Sequence, residues 1–207
     1  MSHKGILVVI SGFAGTGKGT VIERLRKQYD NYELSVSATT RSPRPGEQEG
    51  VHYFYKTKEE FLHMIDQDEL LEHKEYVGNY YGTPRAFVQS RLEEGKNVIL
   101  EIEPQGAMDI KKKMPDTVMI FLAPPDAVTL RDRLAGRATE DAQKQKERLH
   151  RAAEESDMIT SYDYIVVNDD LDQTVEEVHQ VISAAHFRMG SNLEFVKKLQ
   201  EEMQMFV

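Results

Sequence analysis

Cysteine is absent from this chain of 207 residues. That excludes disulfides, thiolate metal sites and a cysteine nucleophile. Long apolar runs are absent as well. None approaches the ~20 residues that a membrane-spanning helix needs. There is no long basic run, and the net charge is −9. Duplex nucleic acid is therefore not expected as the main partner. Any phosphate site must be a local cluster of Arg and Lys in an acidic protein. Residues 1–5 lack the anatomy of a signal peptide, which leads us to expect a cytoplasmic protein. No internal repeat or low-complexity segment is seen. What remains is 40% hydrophobic and 29% charged. This is the profile of a soluble globular protein, and the length suits one α/β domain with small inserted subdomains.

The most informative stretch is Val8-Val9-Ile10-Ser11-Gly12-Phe13-Ala14-Gly15-Thr16-Gly17-Lys18-Gly19-Thr20. An apolar β-run breaks into a glycine-rich loop that ends in Gly-Lys. Glycines let successive backbone N–H groups turn inward around phosphate oxygens. The helix that follows points its positive end at the same anion. Lys18 adds charge near the terminal phosphates. Residues Gly12, Phe13, Ala14, Gly15, Thr16, Gly17, Lys18, Gly19 and Thr20 are thus read as a cradle for ATP or GTP. The usual Ser or Thr directly after the lysine, a Mg²⁺ ligand, is replaced here by Gly19. The hydroxyl comes one residue later, at Thr20. Such an ending is familiar from small nucleotide kinases.

Strand and helix patterns alternate along the rest of the chain. Ile6–Ser11 reads as a buried strand and Thr16–Tyr29 as a helix. Leu34–Ser37 reads as a second strand. Ser42-Pro43-Arg44-Pro45-Gly46 forbids helix and central strand. Short strand-like pieces fill Tyr53–Tyr55 and Leu70–Tyr81, with a helix at Lys58–Gln67 between them. Helices are expected at Pro84–Glu94, Gln105–Met114, Pro125–Leu134 (with a proline at its start), Thr139–Thr160 and Leu171–His186. Strands are expected at Val98–Ile102, Val118–Leu122 and Tyr164–Val167. The fold class is α/β: a parallel sheet with helices on both faces, interrupted by a mixed insertion at roughly 37–94. After Gly190, Leu193, Val196, Leu199, Met203 and Phe206 form one apolar stripe on a helix. The stripe either packs back on its own domain or makes a subunit contact.

Ser37-Ala38-Thr39-Thr40-Arg41-Ser42-Pro43-Arg44-Pro45-Gly46-Glu47 is the second informative run. Arginine forks match phosphate oxygens in pairs. Taken alone, the run is equally a solvated basic loop. Gly78-Asn79-Tyr80-Tyr81-Gly82-Thr83, with Glu72 upstream, shifts the balance. Tyrosines and small hydroxyls beside arginines suit a phosphorylated, aromatic ligand. By spacing alone, Glu72 reads as a surface charge in an acidic stretch.

The combination Ser-x-Thr-Thr-Arg-x-Pro-Arg-x-Gly-Glu with Gly-Asn-Tyr-Tyr-Gly resembles the guanylate kinases, which transfer a phosphate from ATP to GMP. The resemblance runs from the phosphate loop to Val167-Asn168-Asp169-Asp170, about nine-tenths of the chain, and includes Gln105-Gly106. It implies a P-loop core at 1–36 and 96–190, a GMP-binding subdomain at 37–94, a lid near 138–147 and a helical tail at 191–207. It implies that Arg41, Arg44, Tyr53 and Tyr81 hold the GMP phosphate. Glu72 and Glu103 would face guanine, with Ser37 and Thr83 as hydroxyl partners. A carboxylate accepts from guanine N1–H and N2–H₂ together, whereas adenine presents a lone pair at N1.

Val98-Ile99-Leu100-Glu101-Ile102-Glu103 ends in two carboxylates on one strand face. The family often has Asp at the first of these positions. Mg²⁺ is expected with ATP, and Thr20 and Glu101 are the candidates to help hold it, through water. The resemblance also implies that Arg133, Arg137 and Arg148 close over the phosphates. Lys18, Arg44, Arg137 and Arg148 are the expected catalytic set, and Asn168 lies near the ATP adenine. Gly136-Arg137-Ala138 stands where the family usually has Gly-Arg-Gly. The expected partners are ATP with GMP or dGMP. The rival reading is a guanylate-kinase-like module that binds proteins without catalysis. Such modules typically have damaged phosphate loops, and this loop is intact.

Overall fold

The computed structural model describes residues 4–136 and 142–206. Strand β1 (Leu7–Ser11) is buried along its whole length. It leads through the glycine loop into α1 (Lys18–Gln28) and β2 (Tyr32–Leu34). Five short elements follow: β3 (Ala38–Thr39), β4 (Phe54–Tyr55), α2 (Lys58–Asp66), β5 (Leu70–Tyr76) and β6 (Asn79–Pro84). The α/β alternation then resumes with α3 (Arg85–Glu93), β7 (Asn97–Glu101), α4 (Pro104–Lys113) and β8 (Val118–Ala123). It ends with α5 (Ala127–Ala135), α6 (Ala142–Ser156), β9 (Tyr164–Val167), α7 (Leu171–Ala185) and α8 (Leu193–Gln204).

The main sheet has five strands in the order β2-β7-β1-β8-β9, and its pairings are parallel. Alternation along β1 splits its side chains between two cores. Ile6, Val8 and Ile10 pack with Val21, Ile22 and Leu25 of α1 and with Val175, Val178 and Ile182 of α7. Leu7 and Val9 pack on the opposite face with Val88 and Leu92 of α3 and Ala107 and Ile110 of α4. Each fully buried aliphatic side chain contributes about 1.5–3 kcal/mol. A strand apolar on both faces is therefore forced to the sheet centre. The parallel arrangement brings the carboxyl ends of β1, β7 and β9 to one edge, where a doubly wound sheet binds its ligands.

A second sheet, ordered β4-β3-β6-β5, covers the interruption. β5 and β6 pair antiparallel across a tight turn in which Val77 and Gly78 have φ of 49° and 73°. Two successive positive φ values match the right-handed twist of a hairpin. Ala38, Phe61 and Leu70 form a small core beneath this sheet. A reciprocal pair of hydrogen bonds between Thr57 and Glu60 starts α2.

Three local expectations are corrected. The second strand is Tyr32–Leu34, not Leu34–Ser37. Tyr32 is the buried anchor, and the chain then leaves for the second sheet. Pro125 does not open α5. Asp126 caps that helix by accepting from Thr129 N at 2.7 Å. The proline in a first helical turn is Pro104, in α4. The charged helix ends at Ser156, and Ile159–Ser161 form a separate 3₁₀ turn; residues 137–141 lie outside the described set. The tail stripe stays largely open: no residue of α8 is buried, Val196 is half-buried, and Leu193, Leu199 and Met203 are 51%, 45% and 55% exposed. Asn192 Nδ2 donates to the carbonyls of His186 and Arg188, both at 2.8 Å. These bonds set the direction in which α8 leaves. Among the described residues, no helix is long and apolar enough to cross a membrane.

Candidate active site

The glycine loop curls at the carboxyl end of β1. Lys18 folds back over it, and its Nζ donates to the carbonyls of Gly12 and Phe13 at 2.6 and 3.1 Å. Thr16 is fully buried, and its hydroxyl donates to Phe13 O at 2.9 Å. Gly17 opens α1 with φ 85° and no side-chain cap. This left-handed conformation strains any residue with a Cβ. The first N–H groups of α1 thus lack the side-chain acceptor that usually covers a helix start, the state in which a helix end receives an anion. Asn168, just past β9, donates from Nδ2 to Thr16 O at 2.6 Å. Its own carbonyl accepts from Arg133 Nη1 at 2.8 Å.

On the second sheet the paired arginines are built into a network. Arg41 Nη2 donates to Glu47 Oε1 at 2.9 Å, with both side chains less than one-fifth exposed. Glu47 Oε2 accepts from the backbone N of Arg44 and from the Tyr55 hydroxyl, both at 2.8 Å. The Arg41 guanidinium lies 5.2 Å from the ring centre of Tyr53, which stands edge-on to Tyr81 at 6.1 Å. The Arg41 bond, supported by the Arg44 amide, holds the Glu47 carboxyl down at about 2. The arrangement gathers the Arg41 guanidinium, the Arg44 backbone N and the phenol rings of Tyr53 and Tyr55 around Glu47 and Arg41.

The carboxylates named from the sequence occupy different surroundings. Glu72 Oε1 accepts from the Thr83 hydroxyl at 2.7 Å. Burial raises its pKa above the ordinary carboxylate value, and the Thr83 bond opposes that rise. Gly106 makes room for it, since a Cβ there would lie 3.3 Å from Glu72 Oε2. Glu103 accepts from Lys74 Nζ at 2.5 Å and from Arg151 Nη1 at 3.4 Å. Glu101 stands beside the phosphate loop, its carboxylate oxygens 4.0 Å from where a Cβ on Gly19 would be. Desolvation raises its pKa, and Lys18 pulls the other way.

A cleft of about 150 Å³ joins the two sheets, lined by Ser37, Tyr53 and Thr83 on one side and Leu100, Glu101 and Ile102 on the other. The cleft thus gathers Ser37, Tyr53, Thr83 and Glu101, and Glu101 in turn borders Gly19 of the glycine loop. Arg148 lies on α6, one turn before Arg151. Arg137 lies outside the described residues. Three contributors went unread in the sequence. Glu47 was visible at the end of the arginine run but carried no assigned role. Lys74 and Arg151 reach Glu103 from 29 and 48 positions away, and no local spacing signals that.

Comparison with known proteins follows the same outline. The guanylate kinase family model matches residues 4–185. A guanylate kinase of Lactococcus lactis subsp. lactis (strain IL1403) is 48% identical over 194 residues, 94% of this chain and 95% of that one. One of Shouchella clausii (strain KSM-K16) is 50% identical over 199 residues, 96% of this chain and 97% of its own. The crystal structure of guanylate kinase from Anaplasma phagocytophilum superposes with a TM-score of 0.70 at 33% identity, covering 90% of this chain and 89% of that one.

Proposed function

This chain belongs to the guanylate kinase family, and from that premise we propose how its residues divide the work. The activity is transfer of the ATP γ-phosphate to GMP, giving ADP and GDP. The single observation that carries the residue assignment is the shared cleft: Ser37, Tyr53 and Thr83 face Glu101 across it. Glu101 in turn borders Gly19 of the phosphate loop. This supports a reading in which the donor and acceptor sites open toward each other.

The acceptor is a phosphate monoester whose second pKa is about 6, so it is already a nucleophilic anion near neutral pH. No side-chain nucleophile is needed. The task is to hold two polyanions in line, with positive charge placed beforehand and water excluded. Lys18 and the loop amides take the ATP phosphates. Arg41 and Arg44, with Tyr53 and Tyr81, take the GMP phosphate. Glu72 accepts from guanine N1–H and N2–H₂, the Thr83 hydroxyl fixing its orientation. Ser37 and Glu103 complete the base edge. Arg137 and Arg148 neutralise the transferring group from the lid side. Arg133 and Asn168 belong to the ATP site.

Thr20 and Glu101 offer hard oxygens, and the Glu101 carboxylate lies against the loop, 4.0 Å from where a Cβ on Gly19 would be. These donors fit Mg²⁺ brought with ATP and held through water. When bound, Mg²⁺ neutralises phosphate charge. We also assign dGMP as an acceptor and the cytoplasm as the setting.

The test is coupled ADP release with ATP plus GMP, dGMP, AMP, UMP or CMP. Turnover is expected with GMP and dGMP alone. Equal turnover with AMP would overturn the base-selection assignment.

A further inference from the structure

Asn168 is 8% exposed, yet it carries more polar bonds than its position at a strand end requires. Its backbone N donates to Ala123 O of β8 at 2.8 Å. Its backbone O accepts from Arg133 of α5 at 2.8 Å. Its side-chain Oδ1 lies 3.2 Å from the Thr174 hydroxyl of α7. Its Nδ2 donates to Thr16 O at 2.6 Å, across 152 positions of sequence. A carbonyl only accepts, so the amide nitrogen must be the atom that faces Thr16.

Thr16 immediately precedes Gly17, the left-handed residue that turns the loop into α1. A Cβ on Gly17 would lie 2.6 Å from Asn168 Nδ2. The amide thus fills the space a side chain at 17 would take, and it grips the peptide that starts the turn. We propose that Asn168 is a positioning residue for the phosphate loop. Its amide fixes the Thr16–Gly17 peptide, so that the N–H groups that follow are aimed at polyphosphate before the ligand arrives. Through its backbone oxygen the same residue anchors Arg133. This deepens the reading of Gly12–Thr20 as the ATP cradle and rests on it. It differs from a base-reading role, because polyphosphate alone depends on the residue.

The test compares magnesium tripolyphosphate, which has no base, with ATP. Calorimetric affinities for both, and for GMP, are measured on wild type, Asn168→Ala and Asn168→Ser. Losing the donor leaves Thr16 O buried without its partner, which weakens binding about tenfold. Tripolyphosphate and ATP should weaken by the same factor in Asn168→Ala, and less in Asn168→Ser. GMP affinity should stay within about twofold. Loss of ATP affinity with tripolyphosphate unchanged would overturn the proposal in favour of base reading. Unchanged affinity for both would overturn it as well. So would loss of GMP binding and of a cooperative melt in both variants, which would make Asn168 a general core group. A wild-type protein that binds neither polyphosphate would instead overturn the cradle reading itself.

Discussion

Arg41 and Glu47 face each other at 2.9 Å on the second sheet, and the same carboxylate holds the Arg44 backbone and the Tyr55 hydroxyl. The arginine assigned to the acceptor phosphate is therefore oriented before any phosphate arrives. Charge-assisted bonds of this kind are stronger than neutral ones. Glu47→Gln should raise the KM for GMP about tenfold and leave the KM for ATP unchanged. Steady-state kinetics with each substrate varied in turn checks this.

The same pair has a pH signature. The Glu47 carboxyl is depressed to about 2, below its ordinary 4.5. Its contribution to folding is thus complete above about pH 4.5 and is lost as the pH falls toward 2. A ¹³C titration of the Glu47 carboxyl should show no midpoint near 4.5.

Glu72 has the opposite sign. Burial raises its pKa, so the ionised form is disfavoured in the folded state. Stability is greatest while the group is protonated and falls as the pH rises through the raised value. Glu72→Gln removes that cost. The variant should melt at a higher temperature than wild type at pH 8, with the gap closing toward pH 4.5. It should also lose about a hundredfold or more in kcat/KM for GMP, since an amide N–H₂ cannot accept from guanine. Melting curves across pH and GMP kinetics read the two effects separately.

Lys18→Ala should reduce turnover with every acceptor about a thousandfold or more, because the charge on the donor phosphates is lost. GMP affinity measured by calorimetry should be unchanged.

Lys74 and Arg151 hold Glu103 at the surface, where ion pairs contribute about 0–1 kcal/mol. Lys74→Ala should leave the melting temperature within about 4 °C of wild type. The KM for GMP should rise a few-fold as Glu103 loses a partner that orients it. Thermal melts and GMP kinetics on one preparation test both halves.

The phosphate loop was legible because its chemistry is local. The strand, glycines, lysine and helix follow one another, and their spacing is their geometry. Arg41 and Arg44 were legible for the same reason. Glu47 was legible as a residue but not as a partner, because the pairing exists only once the chain has turned back on itself. The meeting of Lys74 and Arg151 on Glu103, and of Asn168 on Thr16, depends on how separate elements pack. No periodicity records that. The tail's partner was not legible, because its stripe is genuine amphipathic pattern, and a pattern states which face is apolar without stating what it meets.

The central claim is that this cleft passes a phosphate from ATP to a guanine nucleotide and not to an adenine one. ATP labelled with ¹⁸O in its γ-phosphate, mixed in one tube with equal GMP and AMP, tests it by mass spectrometry. The label is predicted in GDP, with the ADP that accumulates unlabelled. Labelled ADP in amounts equal to labelled GDP, or label released only as inorganic phosphate, would contradict the account.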